Sequence, residues 1–127
     1  PNRRVVPLAD AAKRIEVAAE ARKDILIIAR TDARTGLGMD EALKRAKAFV
    51  KAGADIIFVE APESEDEFRR IGEEIGGSAK LMANMVPTSK SPDVGAEKLA
   101  KFYRPLNPEL EESLERFKDA AYAYAAG

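Results

Sequence analysis

The chain reads as an α/β protein, a partial TIM-type (β/α) barrel with three to four parallel strands and a long C-terminal helix. Three observations predict this. Apolar runs end in polar groups in Ile27-Ile28-Ala29-Arg30-Thr31-Asp32-Ala33-Arg34, in Ala54-Asp55-Ile56-Ile57-Phe58-Val59-Glu60-Ala61 and in Leu81-Met82-Ala83-Asn84-Met85. Segments of helical periodicity separate these runs, which is the order of parallel βαβ units with right-handed crossovers. The strand bodies of such a barrel bury hydrocarbon while their C-terminal tips carry chemistry, so Arg30, Glu60 and Asn84 are expected to face one crevice. A closed eight-stranded barrel takes roughly 250 residues; the 127 residues here are read as one partial domain over 1–127.

Each element has its own signal. Leu8, Ala11, Ala12, Ile15, Ala18 and Ala19 recur at helical spacing and predict a first helix over 8–22 with Pro7 at its entry. Ile25 to Arg30 lacks alternation and is expected to be a fully buried strand. Gly36 and Gly38 open a loop; Asp40 is expected to N-cap a second helix with the apolar face Ala42, Leu43, Ala46, Phe49 and Val50, stopping at Gly53. Asp55 to Glu60 follows as a second strand. Ser64 and Glu67 form a capping box, and Phe68, Ile71 and Ile75 give the buried stripe of a third helix that ends at Gly76-Gly77. Lys80 to Asn84 is the third strand, and a turn-rich stretch from Pro87 to Gly95 leads to a short helix near Ala96 to Lys101. Asn107-Pro108-Glu109 supplies an N-cap, a first-turn proline and an acidic start, after which Leu110, Leu114, Phe117, Ala121 and Tyr124 step by four and three.

Composition excludes several function classes. Twenty-one basic and 22 acidic residues leave a formal charge of −1, giving no electrostatic reason for nucleic acid or an anionic membrane as partner. With no cysteine and no histidine, there is no disulfide framework, thiolate metal site, nucleophilic Cys or Ser-His arrangement. Apolar stretches such as Ile25 to Ala29 are too short to span a bilayer, and no apolar signal region follows the first basic residues, so the default expectation is a cytoplasmic protein.

The words IIARTDAR at 27–34, EALKRAKAFVKAGAD at 41–55, IIFVEAPES at 56–64 and LMANMV at 81–86 stand in this order. From about Val5 through Ala100 the chain thereby resembles the isocitrate lyase and phosphoenolpyruvate mutase superfamily, whose members include 2-methylisocitrate lyase and oxaloacetate decarboxylase. The resemblance implies a TIM-type barrel in which Arg30 binds a substrate carboxylate, Glu60 lies in the hydrogen-bonded shell near a magnesium ion, and Asn84 with Met85 contacts substrate. It makes Arg30 and Glu60 the catalytic candidates. The implied reaction makes or breaks a bond next to an α-keto acid through a magnesium-bound enolate. An arginine fork and a divalent cation suit that chemistry, by bidentate carboxylate binding and by stabilising enolate charge. The family's metal-binding aspartates and its Lys-x-Cys-Gly-His loop belong to earlier strands and do not occur here, so direct Mg²⁺ ligands are not expected from this chain. Near the C-terminus Phe102-Tyr103-Arg104-Pro105-Leu106 reads as a shortened last strand. In the family the last helix is exchanged between subunits, which for this chain would be residues 107–127.

Two functional readings follow. The first is a magnesium-dependent carbon–carbon lyase of the 2-methylisocitrate lyase or oxaloacetate decarboxylase type, acting on small α-keto or 2-hydroxy carboxylates and lacking here the metal-binding half. The second is a non-catalytic half-barrel that self-associates, since open sheet edges and apolar faces favour a second copy as cover. A sugar-phosphate barrel is disfavoured because Met85 to Ser89 is not glycine-rich. Asp32 and Arg34 are read as orienting Arg30 or the loop, Glu63 to Glu67 as a solvated acidic first turn, and Glu41 with Arg45 as surface support. Tyr122 and Tyr124 are read as packing or partner contacts.

Overall fold

A computed structural model describes residues 4–104, 107–113, 115 and 116. In chain order the elements are α1 (Leu8–Ala21), β1 (Ile28–Thr31), α2 (Ala33–Leu37), α3 (Met39–Lys51), β2 (Ile56–Val59), α4 (Glu65–Ile75), β3 (Lys80–Met82) and α5 (Ala96–Phe102). The strands form one parallel sheet in the order β1-β2-β3, with Arg30 opposite Phe58 and Phe58 opposite Met82.

The helices cover one face of this sheet. Ala29 and Thr31 of β1 and Ile57 and Val59 of β2 are buried, while α3 lies against both strands and α4 against β3. Leu43, Ala46 and Phe49 of α3 and Ile71 and Ile75 of α4 close the core with them. Completely burying each large apolar side chain of this set stabilises the fold by about 1.5–3 kcal/mol before chain entropy is counted. The apolar face expected of α1 is the face it turns inward, yet none of its residues is fully buried.

The first strand differs from expectation. It runs from Ile28 to Thr31 and alternates exposed and buried positions, and Ile25, Leu26 and Ile28 are 66, 42 and 50% exposed. The cause is coverage: the described helices pack on one side only, so the residues of the other side are left open. An apolar run without alternation looks the same in a chain whether one or both faces are covered.

Caps and turns explain the remaining boundaries. Gly38, not Asp40, is the N-cap of α3, with φ 89°. Asp40 sits in the first turn, where its charge favours the helix dipole, and it pairs with Arg70 at 2.7 Å. The segment read as a loop at Gly36 is the short helix α2. At the end of α3, Gly53 (φ 102°) donates to the Val50 carbonyl and Ala54 to that of Phe49, both at 3.0 Å, a Schellman closure that requires the left-handed residue. The capping box at α4 is half as expected: Ser64 Oγ accepts from the Glu67 amide at 3.1 Å, but Glu67 accepts from the Glu63 amide at 2.7 Å. Arg45 is 6% exposed and donates to Glu41 and to the Val6 carbonyl at 2.8 Å. It pins the N-terminal segment to α3 and is no surface support. Arg22 pairs with Asp55, whose carboxylate also accepts from the Ile27 amide at 2.8 Å, joining the entrances of β1 and β2.

Phe102 ends α5 and Tyr103 caps it, so the expected last strand does not begin there, while Pro105 and Leu106 lie outside the described residues. Asn107 Oδ1 accepts from the Glu109 amide at 2.9 Å, as the N-cap reading requires. Leu114, Phe117, Ala121, Tyr122 and Tyr124 lie outside the described residues. No helix among the described residues is long and apolar enough to cross a membrane.

Candidate functional site

Parallel register and strand alternation assemble the site. Arg30 and Phe58 are ladder partners, and two residues further on each strand alternation returns the chain to the same side, at Asp32 and Glu60. The Glu60 amide donates to the Thr31 carbonyl at 3.0 Å, which carries the ladder one residue past β2 and holds Glu60 at the tip. Ala61, the next residue, has φ 56°, a left-handed conformation sparsely populated by alanine and found preferentially beside functional sites.

Arg30 is held from three directions. Its Nε donates to Asp32 Oδ2 at 2.9 Å and its Nη2 to Asp32 Oδ1 at 2.8 Å. Nη2 also lies 3.5 Å from Glu60 Oε1, and Cζ stands 5.1 Å from the centre of the Phe58 ring. The hydrogen bond to Asp32 raises the guanidinium above its ordinary value against the opposing effect of burial, so Arg30 stays a cation. Phe58 is only 8% exposed yet stands outside the main core cluster, because it belongs to the open face under Arg30.

Just below this group, Arg34 donates to both Glu67 oxygens at 3.0 and 2.8 Å and pairs with Glu63 at 2.9 Å, tying α2 to the start of α4. Burial pushes the Glu67 carboxyl up, but the Arg34 fork and the Glu63 amide outweigh it and leave Glu67 below the usual range. The acidic stretch is therefore paired as well as solvated: Glu65 meets Lys98 at 2.9 Å and Asp66 meets Arg69. No group of three or more carboxylates among the described residues is arranged to hold a metal ion.

Arg30 and Glu60 are thus brought together, and Asn84 and Met85 follow the end of the third strand. β3 ends at Met82, and both residues are exposed in the segment beyond it. Met85 lines a separate hollow of ≈ 90 Å³ with residues of the 86–93 loop. A groove of ≈ 620 Å³ lies along α3 and α4 and includes none of the strand-tip residues. The sequence reading did not single out Phe58. The pattern R-x-D beside F-x-E on strands in register is the signal that would have found it. For the conformation of Ala61 no residue pattern gives a signal.

Comparison with known proteins bears on this arrangement. The phosphoenolpyruvate phosphomutase family model matches residues 1–102. The chain is 47% identical over 93 residues to 2,3-dimethylmalate lyase of Eubacterium barkeri, across 72% of this chain and 32% of that enzyme. It is 41% identical over 91 residues to 2-methylisocitrate lyase of Bacillus subtilis strain 168, across 72% and 30%. A crystal structure of 2,3-dimethylmalate lyase, described as a PEP mutase/isocitrate lyase superfamily member, superposes with a TM-score of 0.75 at 26% identity, covering 96% of this chain and 45% of the other. The chain spans about a third of the length of the relatives it matches.

Proposed function

Because the chain belongs to the phosphoenolpyruvate phosphomutase family, we propose that its strand-tip face is the carboxylate-holding part of a magnesium-dependent carbon–carbon lyase. The substrate class is small α-keto or 2-hydroxy carboxylates, and the type is that of 2-methylisocitrate lyase or oxaloacetate decarboxylase. The observation that carries this reading is the Arg30 guanidinium held charged at the tip of β1 with Glu60 at 3.5 Å on the tip of β2.

Arginine has five N–H donors. Asp32 takes the Nε and one Nη2 donor, which leaves the Nη1 side for a substrate carboxylate and makes Glu60 its competitor at Nη2. Arg30 thus binds and orients, and Glu60 is the acceptor placed nearest the bound group. Asn84 and Met85, on the segment that follows β3, are the further substrate contacts the family resemblance implies. The cofactor expected for the reaction is Mg²⁺, which stabilises developing enolate charge. No three carboxylates among the described residues are grouped as a metal site, and the resemblance places the family's metal-binding aspartates on other strands. The 1–127 chain is read as one partial barrel domain, with 107–127 exchanged in a homo-oligomer.

The test is an NMR titration of the chain with malonate, beside a turnover assay with 2-methylisocitrate and oxaloacetate in Mg²⁺. Expected are malonate shifts at Arg30 that Arg30→Ala abolishes, and little or no turnover by this chain alone. Malonate binding unaffected by Arg30→Ala removes the carboxylate role, and full lyase turnover removes the claim that the chain lacks its metal-binding part.

A further inference from the structure

Asp32 occupies the N-cap position of α2, where an aspartate normally accepts an amide hydrogen bond from the first turn. It makes no such bond. Both carboxylate oxygens instead receive Arg30, and the Ala33 amide is left to the Thr31 hydroxyl at 3.3 Å. The local rule for helix capping is broken in favour of the arginine, a pattern expected where function competes with local stability.

We propose that Asp32 is a positioning residue that fixes the plane of the Arg30 guanidinium and turns its Nη1 side toward the incoming carboxylate. The proposal rests on the reading of Arg30 as the carboxylate binder. Two parallel charge-assisted bonds set both the direction and the plane of a guanidinium, which a single contact does not. The Arg30 side chain is 44% exposed, and a long stem with that freedom has many orientations in water. Glu60 already stands 3.5 Å from Nη2. Without Asp32, Arg30 is free to swing onto Glu60 and close the edge that the substrate needs. Asp32 therefore limits Glu60 to the Nη2 corner, at 3.5 Å, and leaves the Nη1 side to the substrate.

The experiment follows the Arg30 Nε–H signal in ¹⁵N NMR, assigned by its loss in Arg30→Lys, together with malonate affinity. In the unsubstituted chain the Nε–H is slowly exchanging and malonate binds. In Asp32→Ala the protected signal disappears, circular dichroism is unchanged, and malonate affinity falls roughly three- to tenfold, the effect of losing a charge-assisted pair at a half-exposed site. Asp32→Gly gives the same comparison should the Ala variant misfold. A protected Nε–H in both variants overturns the proposal, as does unchanged malonate affinity after the signal is lost. Failure of the unsubstituted chain to bind malonate overturns the carboxylate reading itself, and is distinguished by needing no variant.

Discussion

Gly72, in the middle of α4, is the position where one added methyl group has the most to displace. An ideal Cβ there would stand 1.8 Å from the Phe102 carbonyl oxygen and 2.8 Å from its carbon. Real Cβ contacts do not fall below 3.0 Å, so in Gly72→Ala helices α4 and α5 must separate by more than about 1 Å in an interior packed to crystal-like density. The neighbour is main chain and has no rotamer to adopt, and the Tyr103 amide fixes it further by donating to the Leu99 carbonyl at 2.8 Å. Two effects oppose each other: alanine improves helix propensity by about 1 kcal/mol, while overpacking costs about 1–3 kcal/mol, at the upper end when the neighbour cannot rotate away. The net expectation is a loss of about 1–2 kcal/mol, with weakening of the Phe68–Tyr103 ring contact, now 5.8 Å between centroids at 56°. Urea denaturation followed by circular dichroism measures it, as a lower midpoint with an unchanged slope. A variant as stable as the parent, or more so, would show that α5 is not packed on α4 as described.

Two further outcomes follow from the same physical picture. Gly53→Ala meets a left-handed backbone (φ 102°) and the Ala19 Cβ at 2.8 Å, whereas Gly38→Ala meets only φ 89° with nothing within 4 Å. Gly53→Ala should lose the left-handed cost of about 1–2 kcal/mol and more for the Ala19 contact, Gly38→Ala should lose stability through its backbone alone, and a Gly53→Ala urea midpoint equal to the parent's would refute the contact between α1 and the end of α3. Glu67 and Glu74 both titrate below the ordinary carboxylate value, Glu74 chiefly through its hydrogen bond to Lys47. Carboxyls with a folded value below the unfolded one stabilise above the unfolded value of about 4.3 and lose that contribution as pH falls through the folded one. The urea midpoint should therefore be level from neutrality to about pH 5 and fall below that, less steeply in Glu67→Gln; a midpoint that rises on acidification would contradict the pairing.

The helices were legible in the chain because their apolar spacing is long and regular. Phe68, Ile71 and Ile75 are each 1% exposed, as their stripe required, and Ser64 caps α4. The burial of β1 was misread because a short apolar run carries no information about how many of its faces are covered. Arg45 was misread for a related reason: i,i+4 spacing to Glu41 says nothing about the Val6 carbonyl, a partner 39 positions away in the chain. Arg30 and Glu60 come within 3.5 Å of each other because neighbouring strand tips converge by construction. Asn84 was placed on a strand that ends two residues before it, at Met82, and no residue between them signals that end.

The alternation in β1 has a consequence for which changes of length the chain can absorb. Ala29 and Thr31 point under α3 while Ile28 and Arg30 do not. Deleting one residue inside Ile28–Thr31 would exchange the two sets, driving the guanidinium of Arg30 into hydrocarbon and lifting Ala29 out of it. Burying an unpaired charge costs several kcal/mol, so such a misregistered chain would unfold rather than persist as a folded protein with a displaced arginine. Single-residue indels inside this strand should consequently be purged as folding defects, whereas those between Arg22 and Ile27 test only the connector. The arginine is protected from misplacement by the same pleat that makes the sheet cohere.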